Sequence, residues 1–102
     1  MLSRIDARIV RQVKRRLLAI TPVQLLVVYG SRARGDAVPE SDLDMYIEVP
    51  LLTPSLRLRI SEIAWEVGLE AGMVISTLVA SGQNPLDGQP IRLAIEREGI
   101  VV

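Results

Sequence analysis

Hydrophobic and polar positions alternate along this chain with two different periods, and together they predict helices and strands in a mixed order. Apolar residues recur at helical spacing from Ser3 to Ile20, which predicts a first helix. Its predicted core stripe comprises Ile5, Ile9, Val13, Leu17 and Ile20. Val23 to Tyr29 is a short run of Leu and β-branched residues, typical of a buried strand. From Asp42 to Val49 apolar and polar residues alternate, which predicts a second strand with one face in the core.

The second half of the chain predicts a longer helix, a third strand and a short last helix. Thr53 and the proline after it suit the start of a helix, and Gly72 suits its end. We expect Trp65 to pack in the core from this helix. The remaining predicted elements are a strand over Met73 to Ala80, a loop over Ser81 to Pro90, a helix over Ile91 to Glu98 and an edge strand over Ile100 to Val102.

This order of elements predicts a fold of the α/β (α+β) class. Two strands joined by one loop, followed by a helical crossover to a third strand, imply a small mixed β-sheet flanked by helices. With 102 residues, we expect residues 1–102 to form a single domain.

Composition narrows the possible chemistry. The chain has no Cys and no His, which excludes disulfides, Cys-based metal sites, thiolate nucleophiles and imidazole bases. Its formal net charge is zero, so nucleic-acid or membrane-surface binding is not indicated. The longest apolar run, Leu25 to Tyr29, is far shorter than the roughly 20 residues of a membrane span. We therefore expect a cytoplasmic protein.

The segment GSRARGDAVPESDLD, residues 30–44, carries the candidate chemistry. Gly30 permits a sharp turn directly after the first strand. If Ser31 to Arg34 begins a helical turn, its free N–H groups and the Ser31 hydroxyl offer an anion-binding point. Arg34 adds a forked cation that suits phosphate oxygens.

Asp42 and Asp44 lie two positions apart on the second predicted strand, so their Cα atoms are about 6.6 Å apart on one face. Two such carboxylates repel each other unless a cation lies between them. Mg²⁺ is commonly held by one or two carboxylates together with substrate phosphates. An anion site beside paired carboxylates therefore predicts a site for a Mg²⁺–nucleoside triphosphate.

This segment resembles the signature of the minimal nucleotidyltransferases, a family within the DNA polymerase beta-like superfamily. The positions in register are Gly30, Ser31, Ala33, Arg34, Gly35, Ser41, Asp42 and Asp44. The resemblance implies that Gly30, Ser31, Arg34 and Gly35 bind the nucleotide, and that Asp42 and Asp44 are the catalytic metal ligands. It further implies ATP as substrate and Mg²⁺ (or Mn²⁺) as cofactor. Because minimal nucleotidyltransferases are commonly paired with HEPN proteins, it also implies that the chain is the antitoxin of a HEPN-type toxin.

One element of the family pattern is missing. Full members place a third carboxylate on the next strand, but that strand reads MVISTLVA here, and Ser76 is the residue expected at the corresponding place. Loss of a general base costs roughly 10²–10⁴-fold in rate. The sequence therefore leaves two main hypotheses: an enzyme that transfers AMP to its partner, or an impaired nucleotide-binding module that neutralises its partner by binding alone. In both cases the oligomeric state, homo- or hetero-oligomer, is left open. A small-molecule nucleotidyltransferase of the aminoglycoside type is disfavoured, because we expect no separate substrate domain.

Arg32 and the arginines of the first predicted helix are not assigned to the candidate site. We expect Arg32 to be solvent-exposed. Arginines also recur on the first helix opposite its core stripe, at Arg4, Arg8, Arg11 and Arg15. Such a stripe is usually a solvated face, and the alternative is a docking surface for an acidic partner or RNA.

Overall fold

The computed structural model describes residues 2–82 and 90–102. In chain order the elements are α1 (Arg4–Leu18), β1 (Leu25–Tyr29), α2 (Ser31–Arg34), β2 (Leu43–Val49), α3 (Pro54–Ala71), β3 (Ile75–Ser81), α4 (Pro90–Glu98) and β4 (Ile100–Val101). The predicted order of helices and strands is confirmed, with α2 as the helical turn after β1. Residues 83–89 of the predicted loop before α4 lie outside the described part of the chain.

The described strands form one sheet in the order β3-β2-β1-β4. β1 pairs antiparallel with β2, and β2 pairs parallel with β3 after the crossover through α3. The short β4 pairs antiparallel with the other edge of β1, as expected for a terminal edge strand. The sheet is therefore mixed and flanked by helices, which confirms the predicted fold class.

The two faces of the sheet differ in what covers them. On one face, Leu43, Met45 and Ile47 of β2 are fully buried against α1 and α3. On the opposite face, Tyr46 of β2 packs in a smaller cluster with Ile95 of α4. Because side chains alternate along a strand, Asp44 lies on the same face as Tyr46. The main core and the candidate site thus lie on opposite faces of β2.

Short polar contacts stabilise the helix ends, and those of α3 lie where the sequence predicts them. The Ser3 hydroxyl accepts the backbone N–H of Asp6 at the start of α1, and the Thr53 hydroxyl accepts that of Leu56 at the start of α3. Gly72 ends α3 with a φ of 72°. Among the described residues, no helix combines the length and apolar character required to cross a bilayer.

Parts of the predicted core are wrong. Ile5 and Ile20 are 69% and 42% exposed, whereas Val10 is fully buried. Ile5 is exposed because side chains spaced four residues apart drift gradually off one face of a helix with 3.6 residues per turn. Ile20 is exposed because it lies beyond Leu18, the last residue of α1. Trp65 is 69% exposed, because Ala64 occupies the inward position beside it on α3.

Candidate functional site

A tight turn joins β1 to α2 and forms one side of the candidate site. Gly30 has a φ of 78° and precedes the turn, and its carbonyl oxygen accepts the N–H groups of Ala33 and Arg34 at 3.1 and 3.0 Å. Gly35, with a φ of 88°, ends it, and its N–H donates to the Ser31 carbonyl. The predicted helical turn is confirmed, and both glycines adopt a conformation that other residues rarely accept.

The turn lies directly against the carboxylate of Asp44. A Cβ atom added at Gly30 would collide with Oδ2 of Asp44, so a larger residue there would have to displace the Asp44 carboxylate. By contrast, a Cβ at Gly35 would meet no atom within 4 Å. The structure therefore brings Gly30 and Asp44 together as predicted, whereas Gly35 closes the turn without such a close approach.

The charges at the site perturb one another. Partial burial raises the pKa of Asp44, the nearby charge of Asp42 raises it further, and the cation of Arg34 opposes both effects. These three side chains are thus near enough to interact electrostatically. Asp42 is exposed and precedes β2, which begins at Leu43 and not at Asp42 as predicted.

Neighbouring strands place two further hydroxyl groups beside Asp44. Tyr29 of β1 and Ser76 of β3 are both in register with Asp44 of β2, so the three side chains share one face of the sheet. Burial and the charge of Asp44 raise the pKa of Tyr29. Ser76 therefore lies next to Asp44 on β3, the strand on which the resemblance leads us to expect a third carboxylate.

Arg34 lies at the open side of the turn. Its side chain is 44% exposed and donates to carboxylate oxygens of Asp36 at 3.2 Å and Glu98 at 3.0 Å. These two hydrogen bonds raise the pKa of Arg34 above its usual value. Exposed ion pairs contribute little to stability, so a phosphate group can replace either carboxylate at low cost.

The prediction that Arg32 is solvent-exposed is wrong. Its side chain is only 11% exposed and pairs with Asp6 of α1, at 3.1 Å from Nη1 to Oδ1. It also donates to the backbone carbonyls of Ser41 at 2.9 Å and Pro39 at 3.2 Å. Arg32 thus ties the loop that leads into Asp42 to α1, and Asp6, which is 5% exposed, is its buried counter-ion.

A signal for this ion pair exists in the sequence. Asp6 lies three residues before Ile9 and seven before Val13, which places it on the buried stripe of α1. A buried carboxylate requires a cationic or hydrogen-bonding partner. Sequence reasoning missed this pair because the partner lies 26 residues away along the chain.

The chain belongs to the nucleotidyltransferase domain family, whose profile matches residues 8–98. Solved structures with the same fold include a toxin–antitoxin MntA–HpeT mutant with two Asp-to-Glu substitutions, with a TM-score of 0.63 and 13% identity over 94% of this chain and 70% of that one. A Tyr-to-Ala mutant of MntA–HpeT gives a TM-score of 0.63 and 17% identity over 100% and 72% of the two chains. A toxin–antitoxin structure with AMP-PNP gives a TM-score of 0.60 and 17% identity over 94% and 70%. No curated protein sequence matches this chain significantly.

The donor set of the site suits a hard divalent cation only in part. Asp42 and Asp44 offer two interacting carboxylates, which fits Mg²⁺ when substrate phosphates supply further oxygens. Within residues 2–82 and 90–102, however, no group of three or more acidic, His or Cys side chains could hold a metal ion. The carboxylates can thus contribute to a metal–nucleotide site but do not form a complete protein cage.

Proposed function

We propose that this chain is a Mg²⁺-dependent nucleotidyltransferase that transfers AMP from ATP to a HEPN-type toxin and thereby acts as its antitoxin. The observation that carries the proposal is the close approach of the Asp44 carboxylate to Gly30, because it brings the turn that we propose for phosphate binding next to the carboxylate strand. Membership of the nucleotidyltransferase domain family supports the same chemistry.

In this proposal each side of the site has its own task. Gly30, Ser31 and Gly35 shape the turn that receives the triphosphate, and Arg34 leaves its exposed carboxylate partners to bind phosphate oxygens. Asp42 and Asp44 would hold the Mg²⁺ (or Mn²⁺) ion. When bound, the ion would neutralise charge on the phosphates and on the two carboxylates.

The transfer itself is a displacement at the α-phosphorus of ATP. A hydroxyl oxygen of the acceptor forms a bond to that phosphorus, and the bond to the leaving pyrophosphate breaks. The chain's residues contribute positioning and charge stabilisation, which are the main components of phosphoryl-type catalysis. Ser76 is a weak base compared with a carboxylate, so we expect proton removal from the acceptor to be slow.

The partner proposal rests on the structural neighbours. Two of the similar solved structures are toxin–antitoxin MntA–HpeT complexes, and a third toxin–antitoxin structure was obtained with AMP-PNP. By analogy, the partner of this chain is a toxin and its nucleotide is an adenine triphosphate. The proposal places both proteins in the cytoplasm, where ATP and Mg²⁺ are available.

The direct experiment is transfer of label from ATP labelled at the α-phosphate to a HEPN-type partner protein in the presence of Mg²⁺. We expect label on the partner with the wild-type chain and none with Asp42→Asn/Asp44→Asn. If the wild-type chain labels nothing while the double variant still neutralises the partner, the enzyme proposal is wrong.

That result would support the second candidate function, a nucleotide-binding antitoxin that neutralises by binding alone. Ser76 in register with Asp44 is the observation that favours it. A Ser76→Asp variant separates the two hypotheses. Restoring a carboxylate there should raise the transfer rate by about 10²–10⁴-fold if the rest of the site is competent. The matched variant Ser76→Asn should leave the rate unchanged, and an equal response to both would contradict the assigned place of Ser76.

A further inference from the structure

Helix α3 carries apolar side chains on two opposite faces. Its inner face packs into the core through residues such as Ile63 and Val67. On its outer face, Leu58, Trp65 and Leu69 are 63%, 69% and 69% exposed. Their spacing of seven and four residues aligns them along the helix, and we call them the outer stripe. A helix that is apolar on both faces is normally covered on both, so the outer stripe marks an interaction surface.

Acidic side chains border the outer stripe and define the chemistry of its occupant. Glu62 lies between Leu58 and Trp65, and Glu70 follows Leu69. Glu62 pairs with exposed Arg59 at 3.3 Å, and Glu70 makes no ion pair within the described residues. An occupant that matches this surface therefore combines apolar contact area with positive charge directed at Glu70.

The outer surface of α1 has this chemistry. Its arginine face comprises Arg4, Arg8, Arg11 and Arg15, all exposed. Within residues 2–82 and 90–102, none of the four forms an ion pair. Leu18, 54% exposed, and the long aliphatic stems of the arginines supply apolar contact area. The chain thus carries both halves of a complementary pair of surfaces.

The two surfaces are on the same side of the molecule. α1 and α3 pack against the same face of the sheet, and Arg16 of α1 pairs with Glu66 of α3. Neither surface can therefore cover the other within one chain. A two-fold axis, in contrast, can bring each α1 over the α3 of another copy, which gives two identical contacts.

We propose that a second copy of this chain covers the outer stripe, with the arginine face of each copy against α3 of the other. The guanidinium groups then lie near Glu62 and Glu70, and they can stack on the ring of Trp65. A formal net charge of zero removes overall repulsion between the copies. Asp44 lies on the opposite face of the sheet from α1 and α3, and the proposal does not depend on the proposed function.

Sedimentation velocity of the full chain tests the dimer directly. We expect the mass to rise from 11.2 kDa to twice that value as the concentration is increased. Trp65 is the only tryptophan, so its emission should shift to shorter wavelength over the same concentration range. Added salt should move the transition to higher concentration, because charges at a partly solvated interface are screened.

Variants locate the interface. Trp65→Gln/Leu69→Gln should remain monomeric, whereas Leu93→Gln, at an exposed leucine of α4, should dimerise like the wild type. Because these side chains are exposed, circular dichroism should show all variants folded.

Charge reversal tests the reciprocal contact. Arg8→Glu/Arg11→Glu and Glu62→Lys/Glu70→Lys should each be monomeric alone, since like charges then face each other in both contacts. Mixed together, they should form a one-to-one heterodimer, because both contacts are again between opposite charges. The proposal is overturned if the wild type stays monomeric at every concentration, if Trp65→Gln/Leu69→Gln still dimerises, or if the mixture gives no heterodimer.

Discussion

Arg32 and Arg34 lie two residues apart in the same helical turn, yet their surroundings differ completely. The Arg32 side chain is only 11% exposed, pairs with buried Asp6 and donates to the carbonyls of the loop that precedes Asp42. Arg34 is exposed and pairs with carboxylates that solvent also reaches. The comparison shows how one turn can separate two tasks: its inward arginine fixes the shape of the site, and its outward arginine stays free to exchange partners.

The largest expected effect comes from removing Arg32, the inward arginine of the turn. Arg32→Ala leaves the carboxylate of Asp6 buried without its counter-ion, and such losses cost about 3–5 kcal/mol. Urea denaturation should show this loss as a lower transition midpoint. Arg34→Ala is the matched control and should unfold close to the wild-type midpoint. Equal midpoints for the two variants would show that the ion pair to Asp6 does not stabilise the fold.

Arg34→Ala should instead affect ligand binding. Loss of a charge-assisted contact to phosphate is expected to weaken binding of ATP in the presence of Mg²⁺ by roughly tenfold to a hundredfold. Calorimetric titration measures this change, and Arg97→Ala, at an arginine near the end of α4, serves as a surface control. An unchanged affinity for Arg34→Ala would remove Arg34 from the nucleotide site.

Gly30 lies where the turn meets the carboxylate strand, and its substitution tests that junction. Gly30→Ala places a methyl group against Asp44 at a positive φ, so we expect a loss of about 1–3 kcal/mol together with weaker nucleotide binding. Gly72→Ala is the control, because Gly72 also has a positive φ but has open space around it. It should lose stability and keep its affinity. If both variants bind equally well, the approach of Gly30 to Asp44 has no role in binding.

The smallest expected effect is a gain in stability when Asp42 and Asp44 are replaced by asparagine. The pKa of Asp44 is raised, so the folded chain binds this proton more tightly than the unfolded chain, and stability falls as pH rises through that range. Asp42→Asn/Asp44→Asn removes the repulsion and should stabilise the metal-free chain at neutral pH by roughly 0.2–1 kcal/mol, a value that allows for solvent screening.

The gain in the double Asn variant should vanish well below the ordinary aspartate pKa of 3.8, where Asp44 is protonated in both the folded and the unfolded chain. Thermal unfolding in the presence of a chelator measures the stability difference between the double Asn variant and the wild type at neutral and at acidic pH. A double Asn variant that is less stable than the wild type at neutral pH would mean that the carboxylates are structural.

The comparison also shows what the sequence could predict. Local signals determined the elements, because the Thr53 cap, the Gly72 terminus and the alternation through β2 are each contained within a few residues. The cluster of Gly30, Asp42 and Asp44 was predictable because motif spacing encodes it. The ion pair between Arg32 and Asp6 was not, because it depends on how α1 packs beside the turn. Trp65 was misplaced for a related reason: hydrophobicity alone does not say which face of α3 the sheet covers.

The most direct test of the account is calorimetric titration of the chain with AMP-PNP in Mg²⁺, since the proposed function requires the turn and the carboxylates to bind one metal–nucleotide complex. We predict binding by the wild type that is lost when Mg²⁺ is chelated and in Asp42→Asn/Asp44→Asn. Absence of binding by the wild type, or equal binding by the double variant, would contradict the central claim that residues 30–44 form a nucleotide site.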